Sequence, residues 1–130
     1  MALPLQALAA LRMGIGSASF FLPGLTTTAL FYPVPAGSLL AVRLFGCRDL
    51  LLGTLLWTAK TPEARRRAVI AGAAVDALDI VASAWAYLGG EVDAMPAMAF
   101  GGGAVSFLVL AAVGWKGAAL GKVGAVAKAM

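Results

Sequence analysis

Residues 38–59 read SLLAVRLFGCRDLLLGTLLWTA. The stretch matches the roughly 20 residues that carry a helix across a bilayer, yet Arg43, Arg48 and Asp49 stand inside it. A charge at the centre of a membrane helix costs at least about 2.5–3.5 kcal/mol on insertion scales. The run therefore makes sense as a membrane helix only if neighbouring helices supply partners. The next apolar run, AVIAGAAVDALDIVASAWAYLG at residues 68–89, carries Asp76 and Asp79, and the first apolar run carries Arg12. Working outward, four stretches have the needed length: Leu3–Leu22, Ser38–Ala59, Ala68–Gly89 and Pro96–Trp115. The expectation is an all-α integral membrane protein, a single four-helix bundle filling the chain.

Composition points the same way. Of 130 residues, 62% are hydrophobic and 12% charged, where ordinary soluble domains carry about 25% charged. Too few polar side chains exist to cover a water-exposed surface. Cys47 is the sole cysteine, so no internal disulfide forms, and its apolar surroundings suit a small packing residue. Histidine is absent, which excludes His-based triads and His-ligated zinc or haem. The net charge of +4 does not indicate nucleic acid, because the basic residues do not interleave with aromatics on a polar face. A cleaved leader is not expected: no basic segment precedes the first apolar run, and Arg12 falls in its middle.

Orientation follows from the connections. Pro23–Gly37 holds Pro23, Pro33, Pro35 and Thr26–Thr28; Lys60–Arg67 reads KTPEARRR; Gly90–Met95 carries Glu91 and Asp93; a Gly/Ala-rich tail runs from Lys116 to Met130. Four crossings collect Lys60, Arg65, Arg66, Arg67, Lys116, Lys122 and Lys128 on one side, against Glu63, and leave only Glu91 and Asp93 on the other. The positive-inside rule then places both termini in the cytosol. For a eukaryotic chain the expected membrane is the endoplasmic reticulum. Phe20, Phe21, Phe31, Tyr32 and Tyr87 fall at the outer boundary, where aromatic rings favour the interface. Gly16, Gly46, Gly53, Gly72, Ser83 and the Gly101–Gly103 run supply small faces for close helix approach, and a homo-oligomer is compatible with them.

Once the connections are set aside, Arg12, Arg43, Arg48, Asp49, Asp76 and Asp79 remain inside the helices. At about 1.5 Å per residue, Arg48, Asp49 and Asp79 lie near the midplane. Asp76 and Arg12 share a level one turn deeper, and Arg43 sits about one turn above Asp79. Asp76 and Asp79 are three apart and share a face; Gly46, Asp49 and Gly53 form another. Two carboxylates one turn apart do not both ionise readily unless arginine compensates them. The pattern predicts an acid, a base and a cationic clamp in one pocket.

Sharper motifs fail. Asp76-Ala77-Leu78-Asp79 has the spacing of an aspartate pair in membrane prenyl transferases, but further aspartates and a longer chain are missing. A metal on Asp49, Asp76 and Asp79 is opposed by the three nearby arginines. Gly101–Gly103 is no phosphate loop, since no strand precedes it and no Lys-Ser/Thr follows. No metal or cofactor is expected.

The segment RLFGCRDLLLGTLL, Arg43 to Leu56, with DALD at Asp76 to Asp79, resembles a small integral membrane family known as domain of unknown function 4267. The matching positions are Arg43, Gly46, Arg48, Asp49, Gly53 and Asp79, with Asp76 as an addition. A weaker likeness, in size, helix count and buried Asp/Arg set, is to the membrane-bound epoxide hydrolases of fungal polyene and polyether biosynthesis. The leading expectation is a membrane enzyme acting on a lipophilic small molecule, most specifically by hydrolysis or cyclisation of an epoxide. Asp49, Asp79, Asp76, Arg43 and Arg48 are the candidate catalytic residues; Arg12, Tyr32 and Trp85 are candidates for substrate binding. Asp49 serves as base, Asp79 or Asp76 as acid, and Arg43 stabilises the developing alkoxide. The competing expectation is a non-catalytic scaffold whose Arg–Asp pairs lock the helices; a transporter using the aspartates ranks behind both.

Overall fold

The computed structural model describes the backbone throughout and the side chains of residues 1–117 and 126–130; Lys122, counted above with the basic side, lies outside the described side chains. Five helices form: α1 (Leu3–Phe21), α2 (Pro23–Ala29), α3 (Leu39–Thr58), α4 (Pro62–Leu88) and α5 (Ala94–Ala129). There is no strand among the described residues. Pro62–Leu88 and Ala94–Gly117 are each long and apolar enough to cross a membrane, and α1 with α2 makes a third candidate if the bent pair is one span. Helix α3 has the length, but Arg43, Arg48 and Asp49 interrupt its apolar run.

Helix ends follow from local chemistry. At Leu22 the chain leaves helical geometry ahead of Pro23 and turns by 119° into α2, as the residue before a proline avoids the α region. The hydroxyls of Thr26, Thr27 and Thr28 bond back to Leu22 O and Gly24 O at 2.9–3.2 Å, so α2 satisfies its own polar side chains. It closes with Phe31 at φ 58°, Tyr32 N donating to Thr27 O and Phe31 N to Thr28 O. This left-handed cap usually employs glycine, as α4 does with Gly90 at φ 72°; in α2 Phe31 takes that place. Helix α4 begins six residues before the expected Ala68, because Thr61 caps it by accepting from Ala64 N at 3.1 Å, and Pro62 and Glu63 suit a first turn. KTPEARRR is thus largely helix, with Arg65 reaching back to Ala59 O at the end of α3. Nor does α5 stop at Trp115, since its Ala-rich continuation stays helical to Ala129.

Helix α1 packs antiparallel on α3, α4 antiparallel on α5, and α1–α5 and α3–α4 contacts close the group. The α1–α3 contact is backbone on backbone. A Cβ on Gly46 would lie 2.6 Å from Gly16 O, and one on Gly53 2.8 Å from Ala9 O. Close approach of small residues is a main source of helix association in lipid. Leu5, Leu8, Ala9, Leu56, Val69, Phe107 and Ala111 form an apolar core toward the α3–α4 turn. The rest is inverted relative to a soluble domain. The largest fully buried side chains are Arg12, Asp49, Asp76 and Ser19, while Leu40, Leu44, Leu51, Leu78, Val81 and Leu88 face outward. Polar groups inside and leucine outside is the distribution that lipid favours.

Candidate functional site

Arg12 is the centre of the molecule. It projects from α1 between the other helices and is 2% exposed. Its Nη1 donates to Asp49 Oδ1 on α3 at 3.1 Å; its Nη2 donates to Asp76 Oδ2 on α4 at 2.5 Å and to Gly72 O at 3.4 Å. Its guanidinium lies 4.7 Å from the ring centre of Phe107 on α5. One side chain therefore touches all three other long helices. Gly72 makes this possible: a Cβ there would sit 3.2 Å from Arg12 Nη2.

A second pair lies on the opposite side of Asp49. Arg48 grips Asp79 with both terminal nitrogens, each at 2.9 Å, and reaches Asp49 Oδ1 at 3.4 Å. Phe45, one turn before it, covers the guanidinium at 4.6 Å. This pair is far more open, with side chains 32% and 28% exposed. Arg43 joins neither group. It donates to Phe20 O at 2.6 Å, at the carbonyl end of α1, where a cation meets the negative pole of the helix.

With Arg43 elsewhere, the cluster holds Asp49, Asp76 and Asp79 against Arg12 and Arg48. One proton or one cation on the set would make it neutral. The oxygens are also unequal. Asp49 receives both guanidiniums on Oδ1 and Asp76 receives Arg12 on Oδ2, so among the described residues the second oxygen of each takes no hydrogen bond. Both oxygens of Asp79 are held by Arg48.

All three carboxylates line one small cavity of about 70 Å³, walled by Phe45, Phe100 and Phe107. The arginines do not line it; Phe45 and Phe107 cover them. Asp79 also borders a second cavity of about 250 Å³, between α4 and α5 with Tyr32 at its edge. A third, of about 420 Å³, lies among α2, the Pro33–Pro35 segment and α3. Among the described residues no group of three or more carboxylate, thiol or imidazole ligands is arranged to hold a metal ion.

Asp49, Asp76, Asp79, Arg48 and Arg12 are thus brought together, and Tyr32 borders the two wider cavities but not the one the carboxylates share. Arg43 is drawn off to α1, and Trp85, 73% exposed on the outer face of α4, is not at the site. Arg12, expected to bind substrate, is sealed beneath Phe107 and holds carboxylates instead. The sequence reading missed Phe45, Phe100 and Phe107. A signal for them exists: Phe45 is three before Arg48, and Phe100 and Phe107 are two turns apart on one face of α5. No protein-family profile, curated protein or solved structure matches this chain.

Proposed function

We propose that the protein is a membrane enzyme that opens an epoxide on a lipophilic small molecule, by water or by an internal hydroxyl. The observation that carries this reading is a chamber lined by Asp49 and Asp76, each with one oxygen that takes no hydrogen bond among the described residues. Asp49 takes the proton of the attacking hydroxyl as its oxygen forms a bond to an epoxide carbon. The ring C–O bond breaks onto the epoxide oxygen, and Asp76, bearing the one proton of the set, gives it to that oxygen. The proton count of the set is unchanged, and its return from Asp49 to Asp76 resets the site. Arg12 and Arg48 hold the carboxylates in place, and Asp79 anchors Arg48; Arg43 has no part in this version. The apolar walls suit a substrate arriving from the bilayer.

We further read the four long helices as a four-span bundle with both termini cytosolic, on the positive-inside rule. Support comes from Arg66, whose guanidinium lies 5.6 Å from the ring of Trp115. The contact puts the basic α3–α4 turn and the start of the Lys-bearing tail at one end. Labelling of a cysteine placed at Asp93 from the cytosolic side would contradict the orientation.

A second reading has its own observation. Arg12 alone ties α1 to α3, α4 and α5, as a structural lock in a scaffold would. The two readings part on Asp→Asn variants, assayed with purified protein in lipid nanodiscs, a panel of lipophilic epoxides and heavy-oxygen water. The enzyme reading expects one labelled oxygen per hydrolysed product, or none in a cyclised one, and a loss of about 10²–10⁴-fold in Asp49→Asn and in Asp76→Asn with folding retained. Conversion of no epoxide by the wild-type protein leaves the scaffold.

A further inference from the structure

The three cavities share their walls. Phe45 and Phe100 border all of them. Phe100 stands between Tyr32 and Phe45, edge to face with each, at 6.2 and 6.1 Å between ring centres. The aromatic trio is the partition between the acid chamber and the wider cavities outside it.

The two sides of the partition differ in chemistry. The outer chamber, about 420 Å³, is mostly apolar, and its polar side chains are Thr26, Thr27, Tyr32 and Ser38. Its Thr26 and Thr27 hydroxyls are spent on Leu22 O and Gly24 O, and Pro33 and Pro35 have no N–H. Hydrocarbon fits such a wall. The inner chamber, about 70 Å³, is lined by three carboxyl groups and phenylalanine rings, and neither Arg12 nor Arg48 lines it. A water molecule needs about 10–15 Å³ measured in this way, so the chamber holds a few heavy atoms and no more. Its lining offers an anion no cation to pair with. A neutral end group fits it, and an ammonium fits better, being drawn to carboxylates and to aromatic faces alike.

We propose that these cavities are one binding site for an unbranched lipophilic chain taken end-on. The chain lies in the outer chamber, passes the Phe45–Phe100 partition, and places a small non-anionic end group among Asp49, Asp76 and Asp79. The inference rests on the functional reading above in taking the acid chamber as the reacting end, and it adds the shape and charge of what enters. Rotation of the Phe100 ring admits the chain. A molecule bearing its polar group in mid-chain cannot reach the carboxylates.

The test is a binding measurement, independent of turnover. Radiolabelled decylamine, its isomer with the amine in mid-chain, decanoate and terminal epoxydecane are titrated onto the full chain in zwitterionic nanodiscs, with protein-free discs as blank. Decylamine and epoxydecane should bind, and decanoate and the mid-chain amine should bind at least about tenfold more weakly. Phe100→Trp, which thickens the partition, should weaken decylamine by about tenfold or more. Gly103→Val should do the same from inside, since Gly103 lines the chamber and a Cβ there meets no protein atom. It serves should Phe100→Trp fail to fold. Trp85→Phe, on the outer face, should change nothing. Equal binding of decanoate, equal binding of the mid-chain amine, indifference of folded Phe100→Trp and Gly103→Val, or no binding of any probe would each overturn the proposal. Epoxydecane that binds and is never converted would refute the reaction and leave the chain site standing.

Discussion

The two ion groups that meet at Asp49 are built from the same residue types and differ in almost everything else. Arg12 with Asp49 and Asp76 is sealed, every side chain at 2% exposure, and reaches all the long helices. Arg48 with Asp79 joins only α3 and α4, is about a third exposed, and borders two cavities. A buried charge set can thus divide its labour by position. The deep group fixes how the helices meet. The shallow one holds the rim of a chamber that the deep carboxylates also line.

The comparison breaks first at Arg12. Arg12→Met strands two sealed carboxylates, and removing one partner of a buried ion pair costs about 3–5 kcal/mol. Thermal unfolding in nanodiscs should show that loss, and Arg12→Met with Asp49→Asn and Asp76→Asn should regain most of it. If the triple variant is no more stable than the single, Arg12 is not the tie described here.

Arg48→Met should cost less, about 1–3 kcal/mol, the range for leaving a polar group without its partner. A loss equal to that of Arg12→Met would erase the distinction between the two groups. Charge counting sharpens it further. With three carboxylates against two guanidiniums, any single Asp→Asn leaves two against two. Each should stay within about 1 kcal/mol of wild type, whereas Asp49→Asn with Asp76→Asn strands a guanidinium and should fall well below either single variant.

The smallest expected effect is local to the deep group. Gly72→Ala places a methyl 3.2 Å from Arg12 Nη2, and a misfit of one methyl should cost about 1 kcal/mol. The same substitution at Gly102, where a Cβ would meet nothing, should be neutral or stabilise by up to about 1 kcal/mol, since alanine favours a helix over glycine. Loss at both positions would mean that helix packing, not room for the guanidinium, is being read.

Much of this was legible from residues 38–59 and 68–89 alone. Intramembrane charges need partners, and depth counting set Arg12 level with Asp76 and Arg48 level with Asp79; both pairs form. The Gly46–Asp49–Gly53 face packs as its spacing implied, with Gly46 and Gly53 against α1. Arg43 was misplaced because depth counting ignores backbone acceptors, and the carbonyl end of α1 lies nearer than any carboxylate. Helix α2 was hidden because three prolines and three threonines read as loop, while its threonines in fact bond inside one short helix. The aromatic walls were passed over because, in a chain this apolar, a phenylalanine on a helix carries no contrast until its neighbours are known.

On the proposed function, Asp49 and Asp76 hold the fold with one oxygen and do chemistry with the other. Turnover and stability measured side by side on Asp49→Asn test it most directly, because the amide keeps an oxygen for Arg12 and Arg48 but cannot serve as a carboxylate base. With a terminal alkyl epoxide in heavy-oxygen water, the account predicts an unfolding temperature close to wild type, undiminished binding, and label incorporation reduced by about 10²-fold or more. Full incorporation by Asp49→Asn, or a loss of activity that only tracks a loss of folded protein, would contradict it.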